Sequence, residues 1–359
     1  MPLPIAVRLR YDLTMAIRKG RLKAGVSECA LIALVALGYV GCRPAPGSSG
    51  EEGSAAPSPA ITAAEMRSRI SYLASDRLGG RGTPSQGLEA AADYVRAEFV
   101  RFGLEAPRGG FIQRYRLGGG PRAATAPNVI AVLKGSDPRL QNEYVLISAH
   151  MDGLGVGQPV DGDSIYNGAD DNASGTAAIL EVAEGLALAE ERPRRSIAFL
   201  AVSGEERGLL GSSWFVENPP MPLERIVANV NIDMVGRNWE DTIAVIGKPY
   251  STLGVLVDSV AAANPQLRLA AVGDLWPSEG FFFRSDHFNF ARKGIPSIFL
   301  FNGVHEDYHR PSDEVGKIKF DKAARIARLV FEVSLALANL DEPPRWEPRA
   351  RDLVVEEGR

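Results

Sequence analysis

The sequence predicts an α/β domain of three layers, in which helices cover both faces of a central mixed, mostly parallel β-sheet. Two observations support this fold class. Short apolar runs such as "EYVLISAH" (143–150) have the length and composition of strands that are buried on both faces, and longer segments such as "GTAAILEVAEGLALAEE" (175–191) repeat apolar residues at helical spacing. The two patterns alternate along the chain, as they do in layered α/β domains.

The predicted elements follow one another from residue 61 onward. Helical spacing predicts helices at "TAAEMRSRISYLAS", "SQGLEAAADYVRAEFVRFGL", "GTAAILEVAEGLALAEE", "YSTLGVLVDSVAAA" and "DKAARIARLVFEVSLALANL". Apolar runs predict strands at "NVIAVLKG", "EYVLISAH", "RSIAFLAVS", "RIVANVNID", "DTIAVIG" and "IPSIFLF". We therefore expect one domain at 61–340, followed by a charged, peripheral tail at 341–359.

The composition is that of an ordinary globular protein. Hydrophobic residues make up 45% and charged residues 23% of the 359 residues. The net charge of −4 gives no basic surface, so the sequence argues against nucleic acid as a partner. Only four histidines are present, which is enough for one metal site; they are His150, His287, His305 and His309.

The amino-terminal segment predicts export rather than part of the fold. Residues 1–41 contain a basic stretch, an apolar run and small residues before Cys42, the layout of a secretory signal with a lipoprotein box. The apolar run is too short to favour a transmembrane anchor. Residues 42–60 are rich in Pro, Gly and Ser and predict a disordered linker. We expect an exported protein that contacts the membrane through a lipid on Cys42.

The cysteines bear on what stabilises the domain. Cys29 and Cys42 are the only two in the chain, and both lie in or at the end of the predicted leader. The domain therefore has no cysteine with which to form a disulfide despite its predicted export. We expect its stability to come from the apolar core and from any bound metal.

One stretch, "DDNASGTAAILE", nearly matches a calcium-binding EF-hand loop. Asp170, Asn172, Ser174 and Glu181 stand at loop positions that would bind the ion. However, no helical pattern enters the stretch, and Ser174 or Asn172 is placed to cap a helix that begins near Gly175. Glu181 would then lie well along that helix, so the calcium interpretation is disfavoured.

Acidic residues and histidines follow several predicted strands. In α/β sheets, functional residues gather beyond the carboxyl ends of the strands, and imidazole with carboxylate is a ligand set that suits zinc. Taken one at a time, each could be a turn residue, a cap or a packed histidine, and for His287 and His305 the structural role is favoured. Together they predict a metal site. The residues that follow strands are His150, Asp152, Glu205, Glu206, Asp233, His305 and His309.

Six motifs in order resemble one known family. They are "SAHMD", "NGADDNASG", "SGEERGLLGS", "NIDMVGR", "SDHF" and "DYHRPSD", preceded by "SDRLGGRGT". This set resembles metallopeptidase family twenty-eight of clan MH, the two-zinc peptidases that include bacterial aminopeptidases and glutamate carboxypeptidase. The resemblance implies a zinc-exopeptidase fold with two Zn²⁺ ions and a peptide substrate.

The resemblance also implies roles for individual residues. The implied metal ligands are His150, Asp171, Glu206, Asp233 and His309. Asp171 would bridge the two ions, Asp152 would orient the imidazole of His150, and Glu205 would be the general base. Tyr308 would stabilise the tetrahedral intermediate. Relatives often have a cis peptide after the bridging acid, here between Asp171 and Asn172.

The predicted reaction is hydrolysis of a peptide bond, with removal of the amino-terminal residue as the favoured form. Two alternatives on the same fold are a zinc-dependent glutaminyl cyclase and a carboxypeptidase that acts on acidic C-termini. An alternative of another class is a lipoprotein that binds its partner without catalysis. The complete set of five ligand positions together with Glu205 argues against that last alternative.

Overall fold

A mixed sheet of eight strands lies at the centre of the computed structural model, which describes residues 61–120 and 122–357. Its strands are β1 (Ile112–Arg116), β2 (Thr125–Leu133), β3 (Tyr144–His150), β6 (Ser196–Val202), β7 (Ile226–Ile232), β8 (Thr242–Ile246), β9 (Ala270–Val272) and β10 (Ser297–Phe301). The order across the sheet is β1-β2-β6-β3-β7-β10-β8-β9. The four central strands, β6, β3, β7 and β10, run parallel, and β1, β2 and β8 are antiparallel to their inner neighbours. The predicted mixed, mostly parallel sheet is thus confirmed.

In the described part of the chain, two further strands and eight α-helices lie around this sheet. The strands β4 (Gly155–Val160) and β5 (Asp163–Tyr166) form a separate antiparallel hairpin. The helices are α1 (Ala63–Leu73), α2 (Gln86–Arg101), α3 (Gly175–Leu188), α4 (Leu210–Glu217), α5 (Leu253–Ala263), α6 (His287–Ala291), α7 (Phe320–Asn339) and α8 (Pro348–Glu357). Among the described residues, no helix combines the length and apolar character needed to cross a membrane.

Alternation along the strands produces the three layers. On β3, Val145 and Ile147 pack into the larger apolar core, where α1, α2, α3, α5 and α7 lie, whereas Leu146 between them packs into a second core with residues of α4 and α6. Successive side chains of a strand point to opposite faces, so both faces of the sheet need a covering layer. The predicted α/β/α arrangement is confirmed.

Capping side chains define where the first two helices begin. The hydroxyl of Thr62 accepts a hydrogen bond from the backbone amide of Glu65 at 3.1 Å, at the start of α1. Ser85 does the same for the amide of Leu88 at 3.0 Å, at the start of α2. These side chains satisfy amides that have no partner within the helix.

Every helix and strand predicted from the sequence is present, and several short elements were not predicted. These are β1, β4, β5, β9, α4, α6 and α8. Most described residues after Pro343 are exposed, as a peripheral tail would be, but Val354 on α8 is fully buried. The predicted signal at 1–41, the lipid attachment at Cys42 and the linker at 42–60 lie outside the described residues.

The parallel centre of the sheet determines where the functional residues lie. Strands β3, β6, β7 and β10 end at the same edge, at His150, Val202, Ile232 and Phe301. The loops that follow these strands therefore meet at one edge, which is the usual position of a site in an open α/β sheet.

Candidate metal centre and active site

Two groups of side chains meet at this edge and share one residue. His150, Asp171 and Asp233 form the first group, and Asp171, Glu206 and His309 form the second. Within each group the candidate ligand atoms all lie within 4.8 Å of one another. The five predicted ligands are thus brought together from the end of β3 and from the segments that follow β5, β6, β7 and β10. Their role as metal ligands stays a prediction.

The carboxylate of Asp171 lies between the two groups. Its Oδ1 is 3.3 Å from Nε2 of His150, and its Oδ2 is 3.3 Å from Nε2 of His309. Nε2 of His150 also lies 3.2 Å from Asp233 Oδ1, and Nε2 of His309 lies 3.3 Å from Glu206 Oε2. Asp171 therefore offers one oxygen to each group, the arrangement that a bridging ligand requires.

The electrostatics of the site favour a bound cation. Burial raises the pKa of Glu206 to about 7, and the neighbouring charge of Asp171 adds to this shift. Burial also raises the pKa of Glu205 well above its usual range, and the charge of Asp233 contributes. Carboxylates this close repel one another unless a positive charge lies between them. Each group supplies one imidazole and two carboxylates, which fits Zn²⁺.

The loop that carries Asp171 is held by the side chain that follows it. The peptide bond between Asp171 and Asn172 is cis, as the resemblance implied. The amide oxygen of Asn172 accepts hydrogen bonds from the backbone amides of Gly175 at 2.9 Å and Met234 at 3.1 Å. Its Nδ2 donates to the carbonyl of Ile232 at 3.0 Å. Of the two capping candidates, Ser174 occupies the position before α3 without a capping bond from its side chain, and Asn172 binds the first amide of α3 and joins the loop to the end of β7.

The side chain of Asp313 also holds the loop that carries Asp171. Its carboxylate accepts hydrogen bonds from the backbone amides of Asp170 and Asp171, each at 3.0 Å to Oδ2. Asp313 was not among the predicted site residues, although it ends the motif "DYHRPSD". It is nearly fully buried, and its position fixes the backbone of the candidate bridging residue.

Asp152 lies next to His150 in the way predicted, with one difference. The Nδ1 atom of His150 is 3.3 Å from the backbone carbonyl of Asp152 and 3.7 Å from its carboxylate. The carboxylate instead accepts hydrogen bonds from the hydroxyl of Thr83 at 3.0 Å and from the backbone amide of Glu205 at 3.3 Å. It therefore contacts both the candidate ligand and the candidate base.

A fully buried arginine behind the site was not predicted to have a role. Arg81 donates hydrogen bonds to the backbone carbonyls of Met151 at 2.9 Å, Asn167 at 2.7 Å and Gly168 at 3.0 Å, and to that of Leu73. Burial lowers its pKa to about 10. The motif "SDRLGGRGT" contains this residue, but only the fold shows that its guanidinium joins two loops of the site.

Tyr308 lies beside the candidate ligands, whereas the two remaining histidines lie outside the ligand groups. The ring of Tyr308 stacks on that of His309, with centroids 3.8 Å apart. Tyr308 also lines a hollow together with Glu205. His287 is buried between aromatic rings, and burial lowers its pKa to about 3. His305 has its Nε2 3.2 Å from Asp170 Oδ2. Neither belongs to the two ligand groups.

Curated proteins resemble this chain over most of its length. The chain is 28% identical to leupeptin-inactivating enzyme 1 of Streptomyces exfoliatus over 317 residues, which are 84% of this chain and 62% of that protein. The chain thus spans about three fifths of the length of the curated relatives it matches first.

Solved structures share the fold at lower identity. A zinc aminopeptidase from Bacillus subtilis superposes with a TM-score of 0.62 at 17% identity, covering 77% of this chain and 95% of that one. A glutaminyl cyclase from Porphyromonas gingivalis superposes with a TM-score of 0.61 at 22% sequence identity. The match covers 76% of this chain and 97% of that one.

A family model covers all five candidate ligands. The model of Peptidase family M28 matches residues 128–334. This segment is more than half of the chain and contains every residue of both ligand groups. The protein therefore belongs to Peptidase family M28.

Proposed function

We propose that this protein is a two-zinc peptidase that removes the amino-terminal residue from peptides. The observation that carries the proposal is the position of Asp171 between two ligand groups, with Glu205 beside them. The names of similar proteins support it, since one solved neighbour is described as a zinc aminopeptidase and one relative as an enzyme that inactivates leupeptin.

The donor atoms specify how the ions would be held. His150 and Asp233 would hold one ion, Glu206 and His309 the other, and Asp171 both. Bound in this way, the ions would polarise the substrate carbonyl and lower the pKa of a water molecule.

The side chains around the ligands supply the proton chemistry. Glu205 takes the proton of the attacking water and passes it to the amine that leaves. The carboxyl group holds that proton between the two transfers, in the same hollow as Tyr308. The hydroxyl of Tyr308, which lines the same hollow, donates a hydrogen bond to the oxyanion. Asp152 fixes the backbone of Glu205 through the bond to its amide.

A panel of aminoacyl and peptide substrates, assayed on the zinc-loaded protein, tests this proposal. We expect release of the amino-terminal residue, and a loss of about 10²- to 10⁴-fold in turnover for Glu205→Gln, with zinc content unchanged. Turnover by Glu205→Gln at the wild-type rate would contradict the mechanism. Release of the C-terminal residue would identify a carboxypeptidase. If the protein binds zinc but turns over no substrate, it would instead be a binding protein.

The similar fold of a glutaminyl cyclase makes cyclisation the second candidate reaction. A cyclase would convert an amino-terminal glutamine to a lactam and release ammonia rather than cut the chain. Mass spectrometry of the product separates the two, since cyclisation lowers the mass of the peptide by that of ammonia. Metal stoichiometry adds a second criterion, because both ligand groups together favour two ions.

We also propose that the protein is exported and anchored by a lipid on Cys42. The support comes from the sequence pattern before Cys42 alone. We expect Cys42→Ser to move the protein from the membrane fraction to the soluble fraction. An unchanged membrane fraction would contradict lipid attachment at this residue.

A further inference from the structure

Arg284 is a cation beside the metal centre that the chemistry above does not use. It directly precedes the motif "SDHF", and its side chain is exposed. It lines the same hollow as Glu205, Asp233 and Tyr308. The proposed base, the proposed oxyanion donor and three candidate ligands, which include Asp171 and His309, thus share a hollow with one guanidinium group.

An aromatic ring holds this guanidinium in place. Its central carbon lies 4.8 Å from the ring centroid of Phe281. Phe281 is itself packed against Phe301, with centroids 4.8 Å apart, and against Trp276 at 5.7 Å. A guanidinium stacked on a ring keeps its N–H donors free at the edge of the plane. The ring therefore restricts where the cation lies without satisfying its hydrogen-bond donors.

No described carboxylate pairs with Arg284. Among the residues that the structure describes, no Asp or Glu oxygen lies within 4 Å of its guanidinium nitrogens, whereas Arg237 and Arg325 elsewhere have such partners. The rest of this side of the hollow is apolar, formed by Met234, Phe281, Phe299 and Phe301. An unpaired guanidinium at an apolar wall is a site for a planar anion, which it binds through two parallel hydrogen bonds.

We infer that Arg284 binds a carboxylate of the peptide substrate. This inference rests on the proposed function and adds the substrate class to it. A peptide offers such a carboxylate in two places. One is an acidic side chain on the residue before the bond that is cut, and the other is the C-terminal carboxylate of a very short peptide. Both bring the same group to the guanidinium.

Matched substrate pairs separate the two sources. The first pair is a glutamyl and a glutaminyl chromogenic amide, which differ only at the side chain. The second pair is the dipeptide Leu-Ala and its C-terminal amide. For each pair we define the carboxylate preference as the ratio of kcat/KM for the acidic member to kcat/KM for the neutral member. We expect the zinc-loaded wild type to prefer the acidic member of one pair, and that pair identifies the source.

Three kinds of variant assign the preference to Arg284. Arg284→Gln should lower the carboxylate preference about tenfold, mainly through KM, because Arg284 carries no step of the proposed proton chemistry. Arg284→Lys keeps the positive charge and should retain part of the carboxylate preference. Arg310→Gln removes a cation from the hollow on the other side of Asp171, and Arg225→Gln removes an exposed one that precedes β7, at the opposite edge of the sheet. Neither control should lower the ratio as far.

The outcomes distinguish this inference from the proposed function. Absence of hydrolysis of all four substrates by the zinc-loaded wild type would overturn both. Hydrolysis without a carboxylate preference in either pair would overturn the inference alone. An equal loss of preference in Arg284→Gln and Arg310→Gln would also overturn it, because the effect would then come from general charge. Loss confined to Arg284→Gln, with partial retention by Arg284→Lys, supports it.

Discussion

The backbone amide of Glu205 donates a hydrogen bond to Oδ1 of Asp152 at 3.3 Å. These residues follow β3 and β6, which are neighbours in the sheet. The other oxygen of Asp152 accepts a bond from Thr83, and its backbone carbonyl faces His150. One residue thus positions the candidate base and a candidate ligand together, which couples their geometry.

Removing the charge of Asp152 should therefore weaken both metal binding through His150 and catalysis through Glu205. We expect Asp152→Asn to reduce zinc affinity or kcat/KM by about 10- to 100-fold, as is usual for groups that orient metal ligands. Chelator competition measures the affinity, and steady-state kinetics the activity. Asp161→Asn, in the exposed turn between β4 and β5, is the matched control. Equal behaviour of the two variants would rule out an orienting role.

Arg81 should be required for the fold around the site. Arg81→Met removes a side-chain donor from four buried carbonyl groups, of which that of Gly168 keeps a bond from the amide of Ala173. We expect the free energy of unfolding to fall by about 3 kcal/mol or more, because unpaired buried polar groups are costly. Urea denaturation measures this. Arg77→Met, an exposed arginine in the same segment, should change stability little, and a similar loss in both variants would contradict the argument.

Much of the architecture could be predicted from sequence because burial and function leave local signals. Every residue of β6 is buried, so the strand appears as the continuous apolar run "SIAFLAV". His150 and Asp233 end or follow such runs, which places them at the edge where sites form. The prediction that Asp171 joins the two ligand groups rested on the family motifs. Nothing in the local sequence pattern selects Asp171 over Asp170.

The parts that were missed depend on contacts between distant segments. Arg81 resembles any loop arginine until the fold brings Asn167 and Gly168 to it. Strand β1 is the polar "IQRYR" and β9 has only three residues, so neither has an apolar period. The segment after Pro343 is charged and mostly exposed, and the contacts of Trp346 and Val354 depend on partners far away in sequence.

That terminal segment should contribute to stability. Val354 on α8 is fully buried, and Trp346 donates a hydrogen bond from Nε1 to the carbonyl of Gly294 at 2.8 Å. We expect Val354→Asp to lower the free energy of unfolding by about 2 kcal/mol or more, because an unpaired charge would be buried. Leu353→Asp is the control, since the adjacent Leu353 is 47% exposed. If both variants unfold at the same urea concentration, α8 does not dock as described.

Removal of metal should make stability depend on pH. Without a cation, burial raises the pKa of Glu206 to about 7. A carboxyl with a raised folded pKa binds protons more tightly in the folded state, so its stabilisation fades as pH rises toward 7. For His309, burial opposes the charged form, but hydrogen bonds to Asp171 and Glu206 outweigh it and raise the pKa to about 10. Its stabilisation is complete below the unfolded pKa and fades as pH rises toward 10.

Both kinds of group act in the same direction, so the metal-free protein should lose thermal stability steadily between pH 5.5 and 8.5. Zinc acts in the opposite direction, because its ligands bind in their deprotonated forms. We therefore expect the difference in Tm between zinc-loaded and chelator-treated protein to widen as pH rises, in thermal melts at matched ionic strength. Glu206→Gln removes one titrating group and should flatten the metal-free profile. A difference in Tm that stays constant with pH would show that these side chains do not bind the metal.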